Sequence, residues 1–447
     1  MNLCAFSVHL CVNPRPRFGY YTEVHRVKKE IHRESVTFFK SLLMKIQHPV
    51  SMPKILTRTI LLVSFVSLFT DIASEMLYPI IPVYLRSIGF SVLLIGILEG
   101  VAEATAGLSK GYFGNLSDVL QKRVPFVKGG YIISAISKPL LAVFTFPLWV
   151  FFARTLDRLG KGIRTSARDA ILSDETTPEH KGKVFGFHRS MDTVGAAIGP
   201  VFALIFLYFN PGEYKWLFII AFFPGLIAIS LTFFLKDKKH SPVHQFTSSP
   251  TENPAFFSYF LYWKKASPGF RRLTGGLLVF ALFNSSDAFL LLALKNQGMS
   301  DTRMIGFYIF YNLVYALLSY PVGAIADKIG LKTMLITGLL VFSVVYFFFG
   351  FATSLMAFGI LFFFYSIYAA CTEGISKALI SNIADKSDTA TAIGFYTSFA
   401  SIFTLISSSL SGLLWFVIGP KAMFMISGMG VFVVVIYLVL ILRRRSK

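Results

Sequence analysis

The chain has 447 residues, 54% of them hydrophobic and 16% aromatic, with a formal net charge of +20. The apolar residues fall into about twelve runs long enough to cross a bilayer, which excludes a soluble enzyme or a DNA-reading module. The positive charge does not argue for a nucleic-acid partner either, because nearly all of it lies in alternate loops.

Residues 1–55 are basic and mixed, with "RVKKEIHR" but no apolar stretch and cleavage site of a signal peptide. Phe38 to Ile46 has the pattern of a short amphipathic helix at a membrane surface. An unstructured tail, or translation starting at Met44 or Met52, is the plainer alternative. Membrane spans are expected near 57–85 (broken by Pro79 and Pro82), 91–113, 125–144, 147–173, 184–209 and 214–235. A polar linker over 236–270, containing "SPVHQFTSSPTENP", separates these from six more. Those are expected near 272–295, 303–326, 331–351, 354–383, 389–417 and 420–442. The expected organisation is therefore a tail (1–55), a six-helix bundle (56–235), the linker, a second six-helix bundle (271–443) and a basic end (444–447).

One set of loops carries Lys122 and Arg123, Lys236 to Lys239, Lys264 to Arg272, Lys328, Lys332 and the final "RRRSK". The other set carries Arg86, Lys215, Lys295, Arg303 and Lys421. Basic loops stay on the cytoplasmic side, so both termini are expected in the cytoplasm of a multi-pass inner-membrane protein. Anionic lipid headgroups are the expected neighbours of those loops. The three cysteines, Cys4, Cys11 and Cys371, do not suggest a disulfide framework or a metal cluster.

The most informative stretch is "RTLDRLGKGIRTSARDAILSD" in the fourth span. Arg154, Asp157, Arg158 and Lys161 fall at i, i+3, i+4 and i+7, on one helix face. A charge at membrane depth costs roughly 2.5–3.5 kcal/mol on insertion scales, so such groups face a bundle interior or a wet cavity. The candidate anionic partners are Asp71 and Glu75 on the first span, Glu99 and Glu103 on the second, and Asp192, three residues after Arg189, on the fifth. Burial disfavours an ionised carboxylate and a nearby arginine favours it. Moving the arginine away therefore raises proton affinity, which would make Asp71, Glu75 and Arg158 a proton-coupling set. The competing reading is a fixed ion-pair network that sets helix register. Lys161, Arg164, Arg168 and Asp169, toward the cytoplasmic end, are expected to pair or gate. In the second half Asp287, with Asn284, Tyr311 and Asn312, is the charged point that could face a cavity. His188 reads as a hydrogen-bonded core residue in preference to a metal ligand. "GKGIR" lacks the P-loop pattern and follows no strand, and no cofactor is expected.

The two halves repeat at an offset of about 210 residues. "GFSVLLIG" from Gly89 matches "GMSDTRMIG" from Gly298, and "GNLSD" from Gly114 matches "GAIAD" from Gly323. "KGI" at Lys161 matches "EGI" at Glu373, and "FGF" at Phe185 matches "IGF" at Ile393. An even number of spans in each half gives parallel repeats, a known transporter plan.

The loop after the second span, with Gly114, Asp118, Lys122 and Arg123, resembles the signature loop of the major facilitator superfamily. Its second copy, "GAIADKIGLK", with Gly323, Asp327, Lys328 and Lys332, fits the signature better. In the first copy Val119 stands where a basic residue is usual and Gln121 where Gly is usual, which weakens a salt bridge at that turn. "FTDIASEMLYPIIPVYL", "GILEGVAEATAGLSK", "DRLGKGIRTSARDAILSD" and "FGFHRSMDTVGAAIGP" together resemble a bacterial permease branch of that superfamily. Arg158 with Gly162 resembles the fourth-helix arginine motif, which implies proton coupling. Gly195, Gly199 and Pro200 partly resemble the fifth-helix motif of proton-driven exporters, without its trailing glycines.

The expected protein is a monomeric, all-α, twelve-helix secondary transporter. It would move a small amphipathic or anionic metabolite by alternating access, coupled to protons, outward in preference to inward. An uptake permease for a nutrient or metal chelate, or a non-transporting receptor or scaffold on the same fold, are the alternatives. A membrane enzyme would need a nucleophile–base or metal constellation that the sequence does not offer.

Overall fold

The computed structural model describes residues 55–78, 80–237 and 255–443, which fold as α-helices joined by short turns. The Phe38–Ile46 segment, Cys4, Cys11, residues 238–254 of the polar linker and the last four residues lie outside the described residues.

The first half contains α1a (Arg58–Glu75), α1b (Ile81–Ser87), α2 (Val92–Val119), α3 (Val124–Val143), α4 (Pro147–Asp174), α5 (Lys181–Phe209), α6a (Tyr214–Ile220) and α6b (Phe222–Thr232). The second contains α7a (Pro268–Ala281), α7b (Ala288–Asn296), α8 (Asp301–Ile329), α9 (Leu331–Phe349), α10 (Leu355–Ile383), α11 (Thr389–Ile418) and α12 (Pro420–Arg443). Eight of these twelve spans are long and apolar enough to cross a membrane by length and composition alone. The other four are interrupted, as α1 and α7 are, or carry the charged residues, as α2 and α4 do.

The sequence repeat is a structural repeat. Gly89 and Gly298 both take positive φ (94° and 75°), a conformation that glycine adopts without a Cβ clash. Two residues on, Ser91 accepts from the Leu94 N–H and Ser300 from the Arg303 N–H, capping α2 and α8. Each half has its own apolar core. One gathers Met76, Leu77, Tyr84, Val150, Leu217 and Phe218. The other is richer in aromatic rings, with Phe280, Phe342, Tyr346, Phe358 and Phe424.

The halves meet along two related seams, α5 against α8 and α2 against α11. Glycines permit this close approach. A Cβ on Gly114 would lie 2.5 Å from the Ala390 carbonyl oxygen, and one on Gly394 2.5 Å from that of Lys110. A Cβ on Gly186 would lie 2.5 Å from the Ser319 carbonyl oxygen. All these contacts sit at the end of the bundle that carries the basic loops.

Boundaries differ from the sequence expectation in three places. α2 runs on to Val119, and α5 starts at Lys181. The linker ends early: Ser258–Leu261 and Tyr262–Lys265 are helical, and α7a begins at Pro268 under a Ser267 cap. That segment crosses the α2–α11 seam. Asn115 donates to the Ser258 hydroxyl at 2.8 Å, and the Tyr259 and Ser398 hydroxyls share a 2.9 Å hydrogen bond.

Replacing Gly186 by Leu should wedge the α5–α8 seam apart without unfolding either half, because each core is internal to its half. Overpacking of this kind costs about 1–3 kcal/mol. A cysteine pair at Lys183 and Lys328 should then crosslink roughly tenfold more slowly, a factor worth about 1.4 kcal/mol. Unchanged crosslinking would show that the seam tolerates the bulk.

Candidate functional site

α4 is the charged axis of the first half, and its partners come from α2 and α3. Arg154 forms a two-pronged pair with Glu99, at 2.8 and 2.9 Å. One turn on, Arg158 lies 3.2 Å from Glu103. Asp157 turns toward α3, where it accepts from Ser134 at 2.6 Å and pairs with Lys138 at 3.4 Å. Arg154 also approaches Asp157 at 3.4 Å. Lys138 was not singled out from the sequence, although a lysine inside the apolar run "ISAISKPLLAV" was the available signal.

Asp71 and Glu75 stand differently from the expected pairing with Arg158. Neither makes a hydrogen bond or an ion pair among the described residues, and Glu103 occupies Arg158. Lys161 and Arg164 are the cations in electrostatic reach of Asp71, and Lys161, Arg158, Arg154 and Arg189 those in reach of Glu75. The α5 glycines explain how these carboxylates are held near α5. A Cβ on Gly195 would come within 2.6 Å of the Leu68 carbonyl oxygen and 3.0 Å of the Asp71 Cβ. On Gly199 it would meet the Ile72 carbonyl oxygen at 2.7 Å.

Toward the basic-loop end the charges join the two halves. Asp169, fully buried, pairs with Lys377 of α10 at 2.7 Å and with Arg168 at 2.9 Å. Arg168 also donates to Ser67 on α1 at 3.0 Å and lies 4.0 Å from Asp192. Asp192 is 3.6 Å from His188 Nε2, whose Nδ1 lies 3.4 Å from the Ser64 hydroxyl. Arg189, 3.9 Å from Asp192, donates to the Tyr315 hydroxyl at 2.5 Å and reaches Glu373 at 3.8 Å. His188 therefore sits in a side-chain network spanning α1, α4 and α5. Lys377 and Glu373 were missed as site residues, though their i, i+4 spacing inside the apolar tenth span marked them.

The two signature loops form a matched pair of latches. Asp118, at the end of α2, accepts from the Thr391 N–H at 2.5 Å and the Thr391 hydroxyl at 2.6 Å, capping α11. Asp327, at the end of α8, accepts from the Gly182 and Lys183 N–H groups at 2.7 and 2.8 Å, capping α5. A carboxylate at a helix N-terminus satisfies free N–H groups and meets the positive end of the dipole. Arg123 is buried and paired with Asp118, so the salt bridge that the atypical first copy weakens is present. Gln121 takes the positive φ (52°) that Gly330 takes in the second copy, and its amide donates to the Asp118 carbonyl at 2.6 Å. Lys122, Lys328 and Lys332 are exposed, away from the latches.

In the second half α7 is unwound between Ala281 and Ala288. Asp287 lies in that break and accepts from the Tyr365 hydroxyl at 2.6 Å. Asn312 is buried in α8, and Asn284 Oδ1 is buried in the break without a hydrogen-bond partner. The hydrogen bonds between halves furthest from the basic-loop end include Lys110 to Ser401 (3.4 Å), Arg189 to Tyr315, and Ser190 to the Ala316 carbonyl (2.5 Å). Glu99, Glu103, Asp71 and Glu75 lie beyond these links.

The family profile of the Major Facilitator Superfamily matches residues 63–311 and 274–447. An uncharacterised MFS-type transporter of Methanocaldococcus jannaschii is 32% identical over 379 residues, 83% of this chain and 91% of that protein. The staphyloferrin B transporter of Staphylococcus aureus is 26% identical over 61% of this chain and 66% of its own length. Citrate exporter 1 of Aspergillus niger is 25% identical over 38% of this chain and 32% of its own. Among solved structures, the human organic anion transporter MFSD10 superposes with a TM-score of 0.70 at 17% identity, covering 85% of this chain and 99% of that one. The transporter FucP, in the outward conformation, superposes with a TM-score of 0.71 at 12% identity, covering 86% of this chain and 99% of its own.

Lys377→Met should leave Asp169 buried with Arg168 as its remaining close cation. Breaking one side of a buried pair costs about 3 kcal/mol or more. The double variant Asp169→Asn/Lys377→Met should recover most of that loss in thermal unfolding of purified protein. Equal losses in the single and double variants would mean the pair carries no coupling.

Proposed function

This chain belongs to the major facilitator superfamily, and from that membership we propose that it carries a small organic anion across the membrane coupled to protons, outward in preference to inward. The family and the relatives named as transporters make a membrane transporter the starting point. The observation that carries the coupling step is the separation of two kinds of carboxylate. Glu99, Glu103, Asp157 and Asp169 are paired with cations, whereas Asp71 and Glu75 have none within ion-pair distance.

The chemistry runs from that difference. Arg158 is held by Glu103, with Lys161 one turn further along α4. An anionic solute entering between the halves draws on Arg158 and Lys161. That weakens their hold on the first-helix carboxylates, and a carboxylate that loses its cation in a low-dielectric site takes up a proton. Protonation removes the charge that keeps Asp71 and Glu75 toward water, and the halves can rock about the filled cavity. The Asp118 and Asp327 latches and the Asp169–Lys377 pair hold the basic-loop end shut. With that end placed in the cytoplasm by the charge of its loops, this conformation opens away from the cytoplasm. An anionic cargo fits the cations of α4 and the likeness to citrate exporter 1. Export is the direction suggested by the partial resemblance of Gly195, Gly199 and Pro200 to the fifth-helix motif of proton-driven exporters; Gly195 and Gly199 also bring α5 against the Asp71–Glu75 turn.

Asp71→Asn in proteoliposomes should abolish pH-driven accumulation of a test organic acid, citrate for example, while counterflow exchange persists. Unchanged uphill accumulation would remove Asp71 from the coupling step. Loss of both activities would assign it to cargo binding.

A further inference from the structure

The second half of the bundle offers something that an anion carrier does not require. Asp287 is a carboxylate at membrane depth with no ion pair among the described residues. Such a group is expensive to keep there without a cationic partner or a task. It is not spent on its own helix. Although Asp287 is the N-cap residue of α7b, its side chain makes no capping bond, and Ser286 Oγ accepts from the Ala288 N–H instead. One phenol holds it, that of Tyr365 at 2.6 Å, and Tyr365 itself is buried.

Around this carboxylate the side chains are aromatic. Tyr311 lies against Tyr365 with ring centroids 5.2 Å apart, and Tyr308 follows at 6.5 Å from Tyr311. Tyr308 is half-buried and lies within electrostatic reach of both Asp287 and Glu75. Tyr78 of the first half is 49% exposed and within reach of Asp287, Glu75, Arg158 and Glu103. Asp287 thus lies within electrostatic reach of the first half, and Tyr308 and Tyr78 are the phenols of this group that are not buried. Arg189 is the cation in reach of Asp287, and it is already engaged by Tyr315, Glu373 and Asp192. A carboxylate beside accessible aromatic faces, with no cation of its own, is an arrangement that recognises an ammonium group.

We propose that Asp287, with Tyr308 and Tyr78, forms a subsite for a protonated amine of the transported solute. This rests on the transporter reading above and sharpens it: the cargo is amphoteric, its carboxylate toward Arg158 and Lys161 and its amine toward the α7 break. The break serves this purpose. A continuous helix would hydrogen-bond its own backbone through this turn, whereas the unwound segment sets Asp287 beside Tyr365.

The subsite can be read without knowing the cargo. In the full chain with Cys4, Cys11 and Cys371 replaced by alanine, Ser286→Cys places a thiol beside Asp287, and Ala288→Cys serves if the first variant does not fold. The probes are two methanethiosulfonates, trimethylammonium-ethyl (cationic) and sulfonatoethyl (anionic), added to protein in nanodiscs. The cationic reagent should react roughly tenfold faster or more, the preference expected from a charge a few ångströms away. Asp287→Asn should bring the two rates together, and Asp287→Glu should keep them apart. Equal rates in the parent, faster reaction of the anionic reagent, or a preference that survives Asp287→Asn would each overturn the proposal. The assay reads no flux, so it can fail while proton-coupled transport stands, and the Asp71→Asn experiment can fail while this subsite stands.

Discussion

The energetic constraint on this molecule is that an ionised group in the lipid-spanning region needs a partner on another helix. α4 brings arginines, lysines and aspartates to that depth, and each neighbour that answers them is thereby fixed in position. Glu99 and Glu103 set the turn of α2 facing α4, and Lys138 sets the face of α3. Asp169 extends the same requirement across the molecule to Lys377. Because desolvation nearly cancels the attraction within a buried pair, such contacts add little net stability, but losing one partner is costly. They therefore specify which arrangement forms more than how tightly it holds. A second arrangement is accessible when a solute or a proton can stand in for a missing partner.

The seams between the halves follow a complementary logic. Backbone approaches there are close enough to exclude a Cβ, and the polar links include carboxylates on helix N-termini. These seams rest on close backbone contact, with the large apolar cores kept inside each half. A stroke that parts these seams requires closed and open forms that lie close in free energy. That is the condition under which a solute's binding energy can move the equilibrium.

Much of this was legible in the residues. The twelve spans, the repeat and the partnership of α4 with α2 follow from periodicity and from charges in apolar runs, and the signature loops from their resemblance to a known family. Less was legible in partner choice. Spacing placed Asp71, Glu75, Glu99 and Glu103 on adjacent helices, but which carboxylate meets Arg158 depends on helix rotation, and the structure gives it to Glu103. The atypical first loop argued against a salt bridge at Asp118. Yet Arg123, two residues beyond Gln121, bends back to reach it because Gln121 adopts the left-handed turn a glycine would have taken. The cross-half pair of Asp169 and Lys377 needs tertiary packing, since nothing local relates residues so far apart.

The short helical segment before α7 has a mechanical corollary. It belongs covalently to the second half, yet Asn115 of α2 holds Ser258, and the Tyr259 hydroxyl is bound to Ser398 of α11. A stroke that parts α2 from α11 must therefore unhook this tether from the first half while it travels with the second. The described part of the connection between the bundles is thus placed as a catch across the seam.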